Sequence, residues 1–292
     1  MTFDNRPLAL PSLLTAPLID RAFAEDFGDV GDLTTQACIE EDSTLRAQIT
    51  ARRAGTLAGV DLARQVFQTL DPALRVENRL TDGDAASPGE IIATIEGPAR
   101  ALLMAERVAL NFLGRLSGIA TATQALVAQT AGTHTRIVCT RKTTPGLRAA
   151  EKFAVRCGGG LNHRFGLYDA VMIKDNHIAA NGSIANALAA VRHHVGHTVK
   201  IEIEVDTLDQ LAEVLAQPEG QHADIILLDN MSHAALCDAV KRNQASTPRI
   251  LEASGNVTVE SVAAIAQTGV DYISSGWITH SAPNLDVGLD II

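Results

Sequence analysis

Apolar, β-branched runs recur along the second half of the chain, at residues 136–140, 170–174, 199–205, 224–229, 249–253 and 271–274, with starts roughly 20–35 residues apart. Between them lie Ala-rich stretches compatible with helix, such as 184–194 and 208–216. Strand, helix, strand at this interval predicts βαβ units and a parallel sheet. A barrel and an open doubly wound sheet both satisfy that rhythm. The ends of the runs separate them. Each stops at a polar cluster: Thr140-Arg141-Lys142, Lys174-Asp175-Asn176-His177, Glu204 to Asp206, Asp229-Asn230, Ser254-Gly255-Asn256 and Ser274-Ser275-Gly276. An open sheet gathers its chemistry mainly at one switch point, whereas a barrel loads the ends of many strands. Six loaded ends favour a β/α barrel.

The first hundred or so residues follow another pattern. Residues 13–23 predict a helix, 46–58 a strand and 60–70 a helix, and turn signals at 81–84 and 87–90 bracket short strands. This is a smaller α+β domain. A long helical stretch then begins at Pro98. On it Leu102, Ala105, Ala109, Phe112 and Leu116 share one face, while Arg107 and Asn111 fall on the other. Arg107 thus points away from the core of its own helix, as an ordinary surface arginine also would.

Composition narrows the picture. Apolar residues make up 46% of the 292 positions but aromatics only 3%, which suits buried parallel strands and close-packed helices. The net charge of −10 argues against general nucleic-acid binding. No apolar run approaches the ~18 residues of a membrane span, and residues 1–14 lack the charged-then-apolar pattern of a signal peptide. Four cysteines, Cys38, Cys139, Cys157 and Cys237, form no CxxC pair, so a reducing, cytoplasmic setting is expected. The charge is uneven, however. Between Arg136 and His177 there are eight Lys/Arg against three acids. A basic island in an acidic chain suggests a pocket for a small anion, and a solvated basic face would look the same.

Two other motifs fail. Gly158-Gly159-Gly160 follows a helical stretch, 147–156, and does not fit GxGxxG, so it reads as a helix stop. His193 and His197 share a helical spacing but have no acidic or cysteine partner for a metal.

Two kinds of chemistry converge on the strand ends. Arg141, Lys142, Arg164 and Lys174, with His163 beside Arg164, form a cationic set. Arginine suits planar carboxylates, and several cations together suit a ligand with two or more negative charges. Glu204 and Asp229 form an acidic set that could do acid/base work, hold Mg²⁺ with a substrate's phosphates, or simply pair with nearby cations. The loops 254–256 and 274–276 offer N–H groups and hydroxyls for a terminal phosphate.

The run TRKTTPGLRAAEKFAVRCGGGLNHRFGLYDAVMIKDNH, residues 140–177, closely resembles the quinolinate phosphoribosyltransferase family. The resemblance extends over nearly the whole chain, through Glu25-Asp26-Phe27-Gly28 with Gly31 to Thr35, Glu106-Arg107, LSGIAT, IEIEVDTLDQL, IILLDNMS, LEASGNVT and Thr279 to Ser281. It implies an incomplete β/α barrel with an N-terminal α/β sandwich domain, divided as 1–115 and 116–292, with the last residues packing back on the N-terminal domain. It implies transfer of phosphoribosyl from phosphoribosyl pyrophosphate (PRPP) to quinolinate, with release of pyrophosphate and CO₂, giving nicotinate mononucleotide for NAD synthesis. It implies Mg²⁺ as cofactor and a homodimer or larger homo-oligomer.

The resemblance also assigns roles. Arg141, His163, Arg164 and Lys174 match the quinolinate site, and Arg107 matches an arginine that enters the neighbouring subunit's site. Lys142 matches a lysine near both substrates; with Glu204 and Asp229 it forms the expected catalytic set. Lys142, Lys174, Glu204, Asp229, Ser254, Gly255, Asn256, Ser274, Ser275 and Gly276 match the PRPP site, with Glu204 and Asp229 near Mg²⁺. Cys139, read as a packing residue, and Ser275 and Trp277, which flank Gly276, depart from the family pattern. A nicotinate-specific relative would need fewer cations, and a silent anion-binding paralogue would have lost some of this set.

Overall fold

The structure, a computed structural model, describes residues 9–292, so residues 1–8 of the N-terminal reading lie outside the described residues. In chain order the elements are α1 (Ser12–Phe27), α2 (Leu33–Cys38), β1 (Thr44–Ala51), β2 (Gly55–Thr56), α3 (Val60–Leu70), β3 (Arg75–Asn78), β4 (Ala85–Ala86), β5 (Ile91–Pro98) and α4 (Ala99–Gln129). They continue with β6 (Arg136–Val138), α5 (Arg148–Cys157), β7 (Val171–Ile173), α6 (Asp175–Asn181), α7 (Ile184–His194), β8 (Ile201–Val205) and α8 (Leu208–Leu215). The last are β9 (Ile225–Asp229), α9 (His233–Gln244), β10 (Ile250–Ser254), α10 (Val259–Gln267), β11 (Tyr272–Ser274), α11 (Trp277–His280) and β12 (Val287–Ile291).

Two compact units interleave along the sequence. The first takes Met1–Gln124, Thr143–Gly160 and Ile278–Ile292; the second takes Ala125–Lys142 and Leu161–Trp277. The last residues join the first unit because β12 pairs antiparallel with β1, Ala47 opposite Ile291 through Ala51 opposite Val287.

The first unit is built on an antiparallel sheet in the order β12-β1-β5-β3, with a separate β2-β4 ribbon. The sequence reading of one strand over 46–58 is corrected here. The strand stops at Ala51, and the segment Arg52-Arg53-Ala54 leaves it before β2. The physical reason is non-local: Arg52 donates to Asp290 at 2.6 Å and Thr50 donates to the same carboxylate at 2.9 Å. Helix α3 matches the amphipathic 60–70 pattern, its N-terminus capped by Asp82, which accepts from Val60 N–H at 2.9 Å. On α4 Leu102, Ala105, Ala109 and Leu116 are buried as the spacing required, and Phe112 is half-buried. Arg115 on the same helix donates to the fully buried Glu151 of α5 at 2.8 Å and to the carbonyls of Ala282 and Thr279. Glu151 also accepts from the backbone N–H and hydroxyl of Thr144, at 3.0 and 2.7 Å. The triple glycine is a helix stop, as read: Gly158 N–H closes α5 on Ala154 O, and Gly159 turns the chain with φ +83°.

The second unit is a six-stranded, all-parallel sheet in the order β6-β11-β10-β9-β8-β7. Among the described residues β6 and β7 do not pair; β6 instead meets Leu161 through a single bridge at Val138. The sheet is therefore a barrel that stays open, as the loaded strand ends and the resemblance led one to expect. Helices α7, α8 and α10 pack against β7, β8 and β11.

Register divides the strand residues into two faces, because side chains alternate along each strand. Ile203 lies opposite Ile226, Val205 opposite Leu228, and Ala253 opposite both Leu228 and Ile273. All of these are buried, and each large aliphatic among them contributes roughly 1.5–3 kcal/mol by leaving water. The other face carries Glu202, Glu204, Asp229, Glu252, Ser254 and Ser274. At the N-terminal ends of the strands, carboxylates serve the frame. Asp224 accepts from Arg192 at 2.8 Å, Lys200 at 3.0 Å and Ile201 N–H at 2.9 Å, and Asp271 accepts from Leu251 N–H at 2.8 Å.

Candidate active site

All but one of the sequence-predicted site residues lie in the barrel unit; Arg107 belongs to the first unit. Arg141 and Lys142 follow β6, and Thr140 Oγ1 accepts from Lys142 N–H at 3.0 Å, turning the chain at the strand end. Arg141 is half-buried, and its Nε is buried with no hydrogen-bond partner in the protein. An orphaned guanidinium N–H of this kind is a group that an anionic ligand can satisfy.

Arg164 sits in the loop before β7. Asp169 folds that loop by accepting from Phe165 N–H at 2.5 Å and Gly166 N–H at 2.8 Å, and Arg164 Nη1 donates to Ala170 O at 3.1 Å. Burial and the neighbouring Arg141 hold the Arg164 guanidinium below its ordinary pKa, with Glu202 and Asp169 pulling the other way. Two arginines close enough to oppose one another's charge are the arrangement a dianion relieves.

Lys174 lies at the end of β7, one register step beyond the Ile173–Ile203 pair and so beside Glu204. Its Nζ donates to Glu204 Oε2 in a short ion pair. His177 Nδ1 accepts from Lys174 N–H at 2.9 Å and fixes the lysine at the start of α6. Asp229 ends β9, where Asn230 Nδ2 donates to its Oδ2 at 2.6 Å. Asn230 Oδ1 in turn accepts from Asn256 Nδ2 at 3.3 Å, so the ends of β9 and β10 are clasped by a polar chain. Among the described residues, Asn230 and Asn256 are the two non-glycine positions with positive φ, 49° and 48°. Between them Gly255 takes φ +98°, and a Cβ there would lie 2.1 Å from Asn230 Oδ1. Strained backbone held in this way clusters at binding loops.

Ser274 and Ser275 are buried at the end of β11; Ser275 N–H donates to Val138 O at 3.1 Å, and its hydroxyl has no partner in the protein. Gly276 and Trp277 follow, the latter half-buried. Cys139 is fully buried and its thiol faces Asn162 Oδ1 at 3.3 Å, a packing role.

His163 has both ring nitrogens engaged. Arg164 N–H donates to Nδ1 at 2.7 Å, and Nε2 lies 2.9 Å from Glu202 and 3.6 Å from Glu252. These two glutamates were missed by the strand-end reading. The signal for them was present: each is a charge inside an otherwise apolar strand, at IEIEV and ILEAS. Burial pushes the Glu252 carboxyl up to about 7; Glu202 adds to the shift and His163 opposes it. Among the described residues, His163, Glu202 and Glu252 are also the one group of His, Cys, Asp and Glu compact enough for a metal, and His193 and His197 form no part of it.

Arg107 projects from α4 with its side chain 63% exposed and its nearest acid, Glu106, at 3.8 Å. A cavity of about 180 Å³ lies in the same unit among Val108, Phe112, Arg115 and Leu116 and holds none of the candidate residues.

An open six-stranded β/α barrel with arginines, lysines, carboxylates and hydroxyl loops at its C-terminal strand ends has the groups of an enzyme site for anionic substrates. The family model described as quinolinate phosphoribosyl transferase, N-terminal domain, matches residues 32–117, and its C-terminal counterpart matches residues 119–290. The chain belongs to the quinolinate phosphoribosyltransferase family. It is 47% identical to a probable nicotinate-nucleotide pyrophosphorylase [carboxylating] of Bacillus subtilis, over 94% of this chain and 92% of that protein. It is 42% identical to a protein of the same description from Synechocystis, over 97% and 94%. The solved nicotinate-nucleotide pyrophosphorylase of Francisella tularensis superposes with a TM-score of 0.89 at 38% identity, covering 97% of this chain and 98% of that one.

Proposed function

We propose that this protein transfers phosphoribosyl from PRPP to quinolinate and releases pyrophosphate and CO₂, leaving nicotinate mononucleotide. The observation that carries the reading is the composition of the barrel's polar strand ends. Opposed arginines suited to a dianion stand in the same unit as two carboxylates and two hydroxyl-bearing loops suited to a phosphorylated sugar.

The chemistry follows from the groups present. The ring nitrogen of quinolinate already has a lone pair, so no general base is needed for attack on the ribose. Arg141, Arg164 and Lys174 hold the dianion, with Lys142 between the two substrates. Ser254 to Asn256 and Ser274 to Gly276 receive the 5′-phosphate. Glu204 and Asp229 stand by the ribose as it gains positive character. Glycosylation makes the ring nitrogen cationic; when the bond from C2 to its carboxylate breaks and CO₂ departs, the electron pair stays on C2, stabilised by the adjacent positive nitrogen, and C2 then takes a proton from solvent. Most of the rate comes from positioning and charge.

Mg²⁺ fits this donor set: Lys174 engages one oxygen of Glu204 and Asn230 one oxygen of Asp229, leaving one carboxylate oxygen on each for an ion that proteins usually share with substrate phosphates. When bound, the ion supplies charge neutralisation for the pyrophosphate group. The exposed Arg107 supports a homodimer or larger homo-oligomer in which it enters a neighbouring site. Four free thiols fit a cytoplasmic setting, and among the described residues no helix is long and apolar enough to cross a membrane.

The test is to incubate the protein with quinolinate, PRPP and Mg²⁺ and to follow nicotinate mononucleotide and CO₂ together, with nicotinate as the competing acceptor. Equal release from quinolinate is expected. Turnover of nicotinate alone, or of neither acid, would overturn the assignment.

A further inference from the structure

The segment that carries Arg141 and Lys142 has no regular structure of its own, since β6 ends at Val138 and α5 begins at Arg148. Lys142 is exposed, so burial does not place it. Its backbone is fixed from both sides instead. Upstream, Thr140 Oγ1 accepts from Lys142 N–H. Downstream, Thr143 Oγ1 accepts from Arg148 Nε at 3.0 Å. Thr144 is exposed, yet each of its polar groups is bonded. Its N–H and hydroxyl donate to the two oxygens of Glu151, and its carbonyl accepts from Leu147 N–H at 3.0 Å. That last bond closes a turn over Pro145 and Gly146, the latter with φ +81°. Glu151 is fully buried on α5, and Arg115 donates twice to its Oε1, at 2.8 and 3.2 Å. The carbonyls of Thr279 and Ala282 brace the same guanidinium. A Pro-Gly turn closes without a buried carboxylate, so this anchor serves something beyond the turn.

We propose that Glu151 is a positioning residue for phosphoribosyl transfer: by gripping Thr144 it sets where Lys142, two residues earlier in the chain, stands between the substrates. The inference rests on the function proposed above, which gives Lys142 that place. A reaction whose rate comes from positioning and charge is slowed steeply when a charged group wanders by about 1 Å. An exposed lysine on an irregular segment has that freedom unless its backbone is held. Glu151 supplies the hold from a site where its own negative charge is already engaged by Arg115 and Thr144, so it need not enter the substrate pocket to act.

The test is made at Thr144, because replacing Glu151 itself would disturb the fold. Thr144→Val removes the hydroxyl's bond to Glu151 at an exposed position, and a β-branched residue suits the extended backbone before a proline. Thr144→Ser keeps the hydroxyl. Steady-state kinetics of both, well below their melting temperatures, are compared with those of the unaltered protein, of Lys142→Ala and of the double variant Thr144→Val/Lys142→Ala. Thr144→Val should lose roughly three- to tenfold in kcat with little change in the KM for quinolinate, and Thr144→Ser should recover it. Added to Lys142→Ala, whose residual turnover is followed over hours, Thr144→Val should cost little more, because the lysine it positions is gone. Unaltered kinetics in a folded Thr144→Val would overturn the proposal. The same fractional loss with and without Lys142 would do so too, since it would mean that Thr144 acts on the structure at large. No turnover of quinolinate by the unaltered protein is a different result, which removes the proposed function itself.

Discussion

Gly255 and Gly182 form a matched pair for testing the clasp at the ends of β9 and β10. Both have left-handed backbones, φ +98° and +85°. A Cβ at Gly182, the C-terminal cap of α6, would meet nothing within 4 Å. At Gly255 it would lie 2.1 Å from Asn230 Oδ1 and 3.0 Å from the Asn230 backbone nitrogen. Alanine at either position incurs about 1–2 kcal/mol for its conformation. At Gly255 the Asn230 amide must also swing away, losing its bonds with Asp229 and Asn256, about 1 kcal/mol each. Gly255→Ala should therefore destabilise the protein by about 2 kcal/mol more than Gly182→Ala, a gap of roughly 3 °C in Tm for a chain of this size. Scanning calorimetry measures the gap, and steady-state kinetics should show a raised KM for PRPP in Gly255→Ala alone. Equal Tm losses with equal KM values would refute the reasoning, since they would mean that Asn230 does not constrain this position.

Other predictions concern charge. Glu252 holds, when folded, a proton that the unfolded chain releases between the ordinary carboxyl range and about 7. Stability should therefore fall by up to about 1.4 kcal/mol per pH unit as pH rises through that window and level off above it. Urea midpoints across the window check this, and Glu252→Gln should remove that part of the slope. Glu151→Ala leaves Arg115 without its buried partner and should cost about 3–5 kcal/mol, with Glu151→Gln costing less; denaturant titration compares them. Arg141→Ala should raise the KM for quinolinate far more than that for PRPP, and similar changes in both would count against its role. Mixing inactive Arg107→Ala and Lys174→Ala subunits should restore activity if Arg107 serves a neighbour's site, and a mixture that stays inactive after subunit exchange argues that it does not.

What could be read from the sequence followed the range of the interactions involved. Helices 60–70 and 184–194 emerged at their observed bounds because amphipathic spacing and local caps such as Ser183, which accepts from Asn186 N–H, are written nearby in the chain. The strand ends were legible for the same reason: an apolar run ending in charge is a local pattern. The break after Ala51 was not, because Arg52 answers to Asp290 on a strand that contributes no signal near it. Glu202 and Glu252 were hidden differently. Their neighbours fit a buried strand so well that the acids were absorbed into it, and only sheet register brings them to one imidazole.

The pairing of β12 with β1 also has a meaning in time. Thr50 and Asp290 are bonded across 240 residues. A ribosome adding about 5–20 residues per second would deliver the second strand on the order of tens of seconds after the first. Throughout that interval β1 waits with one edge bare while every strand of the barrel is being made. A bare edge invites the wrong partner, and charged or polar residues blunt it. Arg46 and Gln48 lie along this one, and Arg52 follows its last residue. In the finished protein Arg52 pairs with Asp290 of β12; until β12 is made, that same charge sits unpaired beside an unfinished edge and blunts it.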